Sequence, residues 1–114
     1  MMIYRIAEKS DWLQARQCGY FASADLAAEG FIHLSELHQV LRTADKYYRG
    51  KTGLLLLEID ETQLSQNIIR EDLTGSGQEF PHSYRPIPVR AVVRQFEFAE
   101  DAGGGYSLPA SLKA

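Results

Sequence analysis

Two short stretches hold most of the residues able to do chemistry: GFIHLS at 30–35 and EFPHSYRP at 79–86. Side chains alternate across an extended chain, so the first stretch puts Ile32 and Leu34 on one face and Phe31, His33 and Ser35 on the other. An apolar strand gains little from an imidazole unless that imidazole has a polar role. His33 is therefore either an interior histidine bonded to a backbone carbonyl or a site residue, and Ser35 is either a site hydroxyl or the N-cap of the helix that follows. In the second stretch Phe80, His82 and Tyr84 share one side, which offers a stacking face, a proton carrier and a phenol, stiffened by prolines. Anchoring of Phe80 and Tyr84 in a rigid surface loop is the plainer alternative. Glu71 and Asp72 in IIREDL precede this knot and could lend it a carboxylate. Arg85, Arg90 and Arg94 add positive charge nearby, either as solvated strand residues or as a fork for phosphate.

Other patterns carry less. Three histidines and one cysteine show no HExxH, CxxC or clustered-carboxylate spacing, so no metal site is expected. TGSGQ contains a GxG but lacks the strand-loop-helix frame of a dinucleotide or phosphate loop. Cys18 has no assigned base. Glu58, inside the apolar run LLLLEID, must lie near the end of a strand or be paired if it is buried.

The elements that must position these residues follow from periodicity. MIYRIA at 2–7 reads as a first strand. A short helix is expected over 11–17, capped by Ser10, with Trp12, Ala15 and Arg16 along one side and Gly19 as its terminator. One or two helical turns follow Ser23 and end at Gly30. GFIHLS is the second strand. Leu37, Val40, Leu41, Ala44, Tyr47 and Tyr48 recur at helical spacing through residue 49. GLLLLEID reads as a central strand covered on both faces, Asp60 with Gln63 as a capping box, IIRED as a strand and VRAVVRQFEF as a terminal strand. Helices thus gather in the N-terminal half and strands in the second, which predicts an α+β fold around a mixed or antiparallel sheet. Residues 1–100 form the expected single domain, and 101–114 a flexible C-terminal tail pinned by Tyr106 and Leu108.

The chain has 114 residues, 45% hydrophobic and 24% charged, enough for one core, and its net charge of -3 provides no broad field for nucleic acid. The single cysteine rules out an intramolecular disulfide, and no apolar run is long enough to cross a bilayer. A soluble, cytoplasmic protein is the expectation.

IYRI, GFIHLS with Gln39 and Ala44 in the helix behind it, YYRG, LLLLEID, IIRE and FPHSY, in that order over residues 2–98, resemble a bacterial family known as domain of unknown function 952. That family is similar in fold to the ADP-ribosyltransferases, whose split sheet cups NAD in a cleft. The resemblance implies a cleft lined by the first strand, GFIHLS and FPHSY, with Arg5 in the first-strand position that holds the NAD ribose. It also implies a late glutamate that bonds the ribose as an oxocarbenium-like centre develops. The Ser-Thr-Ser triplet and Glu-x-Glu pair of those transferases are missing here, and Glu71 is a candidate for the glutamate by its proximity in sequence.

The expected function is therefore binding of NAD, or of a related nucleotide or phosphorylated ligand, between GFIHLS and FPHSY, with NAD as substrate rather than resident cofactor. A transferase or NAD-glycohydrolase would use His33, Glu71 and His82 as catalytic groups. Phe31, Phe80 and Tyr84 would pack against a ring, Ser35 and Gln39 would bond the ligand, and Arg5 or Arg85 would meet phosphate. The rivals are a non-catalytic binding or interaction module and, behind it, a metal-dependent hydrolase.

Overall fold

LLLLEID needs cover on both faces because all its residues up to Ile59 are buried. The computed structural model describes residues 1–113 and supplies that cover. In chain order, β1 is Met2–Glu8, α1 Lys9–Cys18, β2 Tyr20–Phe21, α2 Ala24–Glu29 and β3 Ile32–His33. A 3-10 turn at Leu37–Gln39 runs into α3, Val40–Tyr47. Then come β4 Leu54–Asp60, β5 Ile68–Glu71, β6 Phe80–Ser83, β7 Ile87–Pro88 and β8 Val92–Phe98. The fold is α+β, with antiparallel pairing throughout and its helices in the first half.

The central sheet has the order β1-β4-β8, so β4 is the middle strand. On one face Ile3, Ala7, Leu55, Leu57 and Ile59 pack with Trp12 and Ala15 of α1 and with Phe21, Ile32, Leu34 and Ile87. On the other, Tyr4, Ile6, Leu54, Leu56 and Phe98 pack with Val40 and Ala44 of α3 and with Leu112. Tyr106 stacks on Phe98 with ring centroids 4.8 Å apart and donates its hydroxyl to the Tyr48 carbonyl at 2.7 Å, which ties the C-terminal segment to this second core. Among the described residues no helix is long and apolar enough to span a membrane.

A second sheet, β3-β6-β5, lies against the α1 side of the first. Residues 32–35 are the seam between the two. Ile32 and His33 pair with β6 and the Leu34 amide donates to the Pro81 carbonyl, whereas Ser35 exchanges both backbone bonds with Tyr4 of β1 at 2.8 Å. The strand read over GFIHLS thus changes partner midway.

Some sequence expectations need correction. Helix α1 begins ahead of Ser10, with Glu8 rather than the serine at the N-cap. Ser35 caps nothing: Glu36 stands at the N-cap and exchanges bonds with Gln39 in a capping box, because the seam holds the Ser35 backbone extended. The long helix ends at Tyr47, whose ring is exposed rather than packed. Gly19 and Gly30, both near φ +90°, end α1 and α2 as expected, since only glycine adopts that geometry without strain.

Glu58 is buried and paired. Its carboxylate accepts from Arg94 at 2.7 and 3.1 Å and from the Tyr4 hydroxyl at 2.8 Å, along one cross-strand row. The β4–β8 register shifts just past this row, opposing Ile59 to Val92 and leaving Val93 as the extra, exposed residue. The Arg94 bonds lower the Glu58 pKa despite burial, and burial with the Glu58 bond pushes the Tyr4 phenol up to about 12. Glu58→Ala strands a buried hydroxyl, and because Arg94 is half exposed and screened the expected cost is about 2 kcal/mol. Glu58 contributes fully above its ordinary value of 4.5 and the contribution is lost as pH falls through the depressed folded value. Denaturant melts of wild type and Glu58→Ala should therefore differ at neutral pH and converge in acid.

Candidate functional site

Directly opposed residues of an antiparallel pair share a face, so the register of the second sheet decides which groups meet. His33 lies opposite His82, and His82 opposite Ile69; two residues along, Glu71 lies opposite Phe80. Ile32, Ser83 and Ile68 form the inner row. The inner row enters the core while the alternate residues Phe31, His33, His82, Tyr84, Ile69 and Glu71 form the opposite face, on which His33, Ile69 and Tyr84 are exposed, Glu71 is half-buried, and Phe31 and His82 are buried beneath their neighbours. Contrary to the expectation of a cleft between GFIHLS and FPHSY, the two are hydrogen-bonded neighbours. The candidate catalytic residues lie on the surface the two segments share.

On that surface Glu71 is the hub. Its Oε2 accepts from the Tyr84 hydroxyl and meets His82 Nδ1 at 2.8 Å, while Oε1 has no protein partner among the described residues. These bonds, first from Tyr84 and then from His82, lower the Glu71 pKa and keep it a carboxylate. An ionised carboxylate only accepts, so Nδ1 carries the hydrogen and Nε2 is the open nitrogen of His82. Nε2 makes no hydrogen bond among the described residues, and the ring as a whole is buried, with 4% of the residue exposed. Phe31 stacks on His82 with centroids 4.2 Å apart and lies 4.8 Å from His33 and 5.3 Å from Tyr84. The imidazoles of His33 and His82 meet edge to face at 5.4 Å. His33 has its own carboxylate, Glu29, at 2.9 Å from Nε2, supplied by the last turn of α2.

The remaining candidates divide by position. Phe80 is half buried beside Glu71, and Arg85 is exposed just past Tyr84. Ser35 is turned into the seam, where its Oγ meets Thr43 Oγ1 at 3.3 Å. Gln39 is buried and donates to the Glu79 carbonyl at 2.9 Å, anchoring the start of β6 rather than facing a ligand. Arg5 is likewise committed, since its guanidinium donates to Asp25 at 2.7 Å and to the His33 carbonyl at 3.0 Å. Asp25 in turn accepts from the His33 amide and the Ser23 hydroxyl. Burial pushes the Asp25 pKa up, but the Arg5 charge and those bonds outweigh it and leave it lowered. Arg5 thus holds His33 in place from behind. Among the described residues no group of three or more His, Cys, Asp or Glu is arranged to hold a metal ion.

The family described as Protein of unknown function (DUF952) matches residues 6–95, which include both histidine-bearing strands. The chain belongs to the DUF952 family. The DUF952 fold seen here matches the crystal structure of CC0527 from Caulobacter crescentus at 38% identity, with a TM-score of 0.87 over 98% of each chain. It also matches the solution structure of CC0527 at 39% identity, with a TM-score of 0.79 over 91% of this chain and 90% of that one. No curated protein matches the chain. Sequence reading missed Glu29 and Asp25 as partners of the GFIHLS strand. Both lie in the ADLAAE helix, whose spacing to His33 brings a carboxylate beneath it only once Gly30 has turned the chain back.

The contacts of Glu71 and Arg5 can each be tested by substitution. The bond to Glu71 raises the Tyr84 pKa, so Glu71→Gln should lower it toward the ordinary phenol value, read as phenolate absorbance against pH with Tyr84→Phe identifying the signal. Arg5→Ala leaves the nearly buried Asp25 carboxylate unpaired and should cost about 3 kcal/mol in a denaturant melt.

Proposed function

We propose that the outward face of β5, β6 and β3 binds NAD, or a closely related nucleotide, and cleaves or transfers at its glycosidic bond, in the manner of the ADP-ribosyltransferases that the sequence resembles. The observation that carries this reading is the arrangement of Glu71: one carboxylate oxygen held by His82 and Tyr84, the other free, beside an aromatic wall. A fixed anion with an open oxygen suits a centre that gains positive charge as the reaction proceeds.

The chemistry balances with water as acceptor. The bond between ribose C1' and the nicotinamide nitrogen breaks, its electron pair leaves with nicotinamide, and Glu71 Oε1 stabilises the oxocarbenium-like carbon. Water then attacks that carbon and passes its proton to His82 Nε2 and so to solvent. Tyr84, exposed and backed by the buried Phe31, packs on the ring, and His33, steadied by Glu29 and by the Arg5–Asp25 pair, bonds the ligand from the neighbouring strand. A protein nucleophile in place of water would make the same centre a transferase. The setting is the reducing cytoplasm, with no metal required.

The openness of the face favours a second reading, a binding module without turnover. His33, His82 and Glu71 line neither the hollow of about 550 Å³ beside Tyr84 nor the one of about 460 Å³ at Met1, Glu61, Thr62 and Arg70.

Incubation with NAD and measurement of released nicotinamide separates the readings. The enzyme reading expects release that falls about 100-fold in Glu71→Gln and in His82→Ala with melting curves kept cooperative. Thermal stabilisation by NAD without release would support the binding module instead.

A further inference from the structure

The charge around the site is distributed unevenly. Beside His33 and His82 the formal charges facing outward are carboxylates, Glu29 and Glu71, and the nearest guanidinium, Arg5, is nearly buried and committed to Asp25. Such a surface suits a ring carrying positive charge and repels phosphate.

On the far side of Tyr84 the sign changes. The hollow of about 550 Å³ there is lined by Ser65, Gln66, Asn67, Ile69, Tyr84 and Arg85. Arg85, like Arg16, Arg42 and Arg90, has no carboxylate partner among the described residues, and of these four it is the one that lines the hollow. The hollow is also held in shape. Ser83 Oγ donates to the Arg85 carbonyl at 2.6 Å, and Gln66 Nε2 reaches Ser83 Oγ at 3.3 Å and the Pro86 carbonyl at 3.1 Å. An unpaired guanidinium among amides and a hydroxyl is phosphate-binding chemistry. Tyr84 belongs to both halves, since its ring approaches Phe31, its hydroxyl bonds Glu71 and its side chain borders the hollow.

We infer that the site selects a dipolar ligand, a cationic N-ribosyl ring placed against Tyr84 and Glu71 whose phosphate sits in the Arg85 hollow on the other side of Tyr84. The inference rests on the glycosidic reading above and narrows it. One ribose with its 5'-phosphate links the two charges, so a mononucleotide carries everything the site reads, and the second nucleotide of NAD lies outside it.

Calorimetric titration of the full chain with nicotinamide mononucleotide, nicotinamide riboside and ribose 5-phosphate tests this. The mononucleotide should bind about tenfold or more tightly than the riboside, which lacks phosphate, and than ribose 5-phosphate, which lacks the cation. Arg85→Ala should erase the advantage of mononucleotide over riboside, and Arg85→Lys, which keeps the charge without the fork, should retain part of it. The advantage should also shrink with added salt. A riboside that binds as tightly as the mononucleotide, or an advantage that survives Arg85→Ala, overturns the inference and leaves the glycosidic reading standing. Failure of both pyridinium compounds to bind folded wild type removes both together.

Discussion

The site depends on the register of two short strands. Opposition of His33 to His82 places both imidazoles on one face, and opposition of Ile69 to His82 brings the end of β5, with Glu71, alongside. A slip of one residue would turn His33 inward and Ile32 out, because side chains alternate with period two. Ile32 and Leu34 are almost fully buried, and each contributes about 2 kcal/mol relative to exposure. The same burial that builds the core therefore turns both histidines away from it, His33 to an exposed position and His82 to a covered one beneath Phe31. The backbone bonds between Ser35 and Tyr4 add a second lock, since they fix where the strand leaves β6 for the central sheet.

Behind the open face the polar groups are fastened in layers. Arg5 and Asp25 hold the His33 backbone, Gln39 holds the Glu79 carbonyl at the entry to β6, and Arg70 of β5 donates to both Glu36 and Glu61. The Arg70 bonds cross from the second sheet to the turns that precede α3 and follow β4, so β5 is tied to the central layer at the end where β1 begins and β4 stops. These contacts keep His82, Glu71 and Tyr84 in one geometry, which is what electrostatic preorganisation of a small open site requires. Their carboxylates are already committed, whereas Glu71 Oε1 and the Arg85 guanidinium are left without protein partners among the described residues.

Local pattern made much of this legible. Alternation in GFIHLS separated Ile32 and Leu34 from Phe31 and His33, and the unbroken run LLLLEID marked β4 as the strand covered on both sides. Two glycines with positive φ ended α1 and α2 where the sequence indicated. What escaped was long-range pairing, which no periodicity encodes. Ser35 should have joined Phe31 and His33 by alternation, but its strand changes partners one residue earlier. Arg5 looked free for phosphate because Asp25 lies twenty positions away, on a helix the chain must fold back to deliver. The cleft expected between GFIHLS and FPHSY became a shared surface for the same reason, since two extended segments either face each other across a gap or pair edge to edge, and sequence alone does not choose.

The register itself is open to direct measurement in solution. Interstrand nuclear Overhauser effects in the full chain should link the His33 and His82 backbones as an opposed pair and the Phe31 ring protons to the His82 imidazole. Cross-peaks that instead oppose His33 to Pro81 or Ser83, with no contact between Phe31 and His82, would contradict the account, because the two histidines would then belong to different faces.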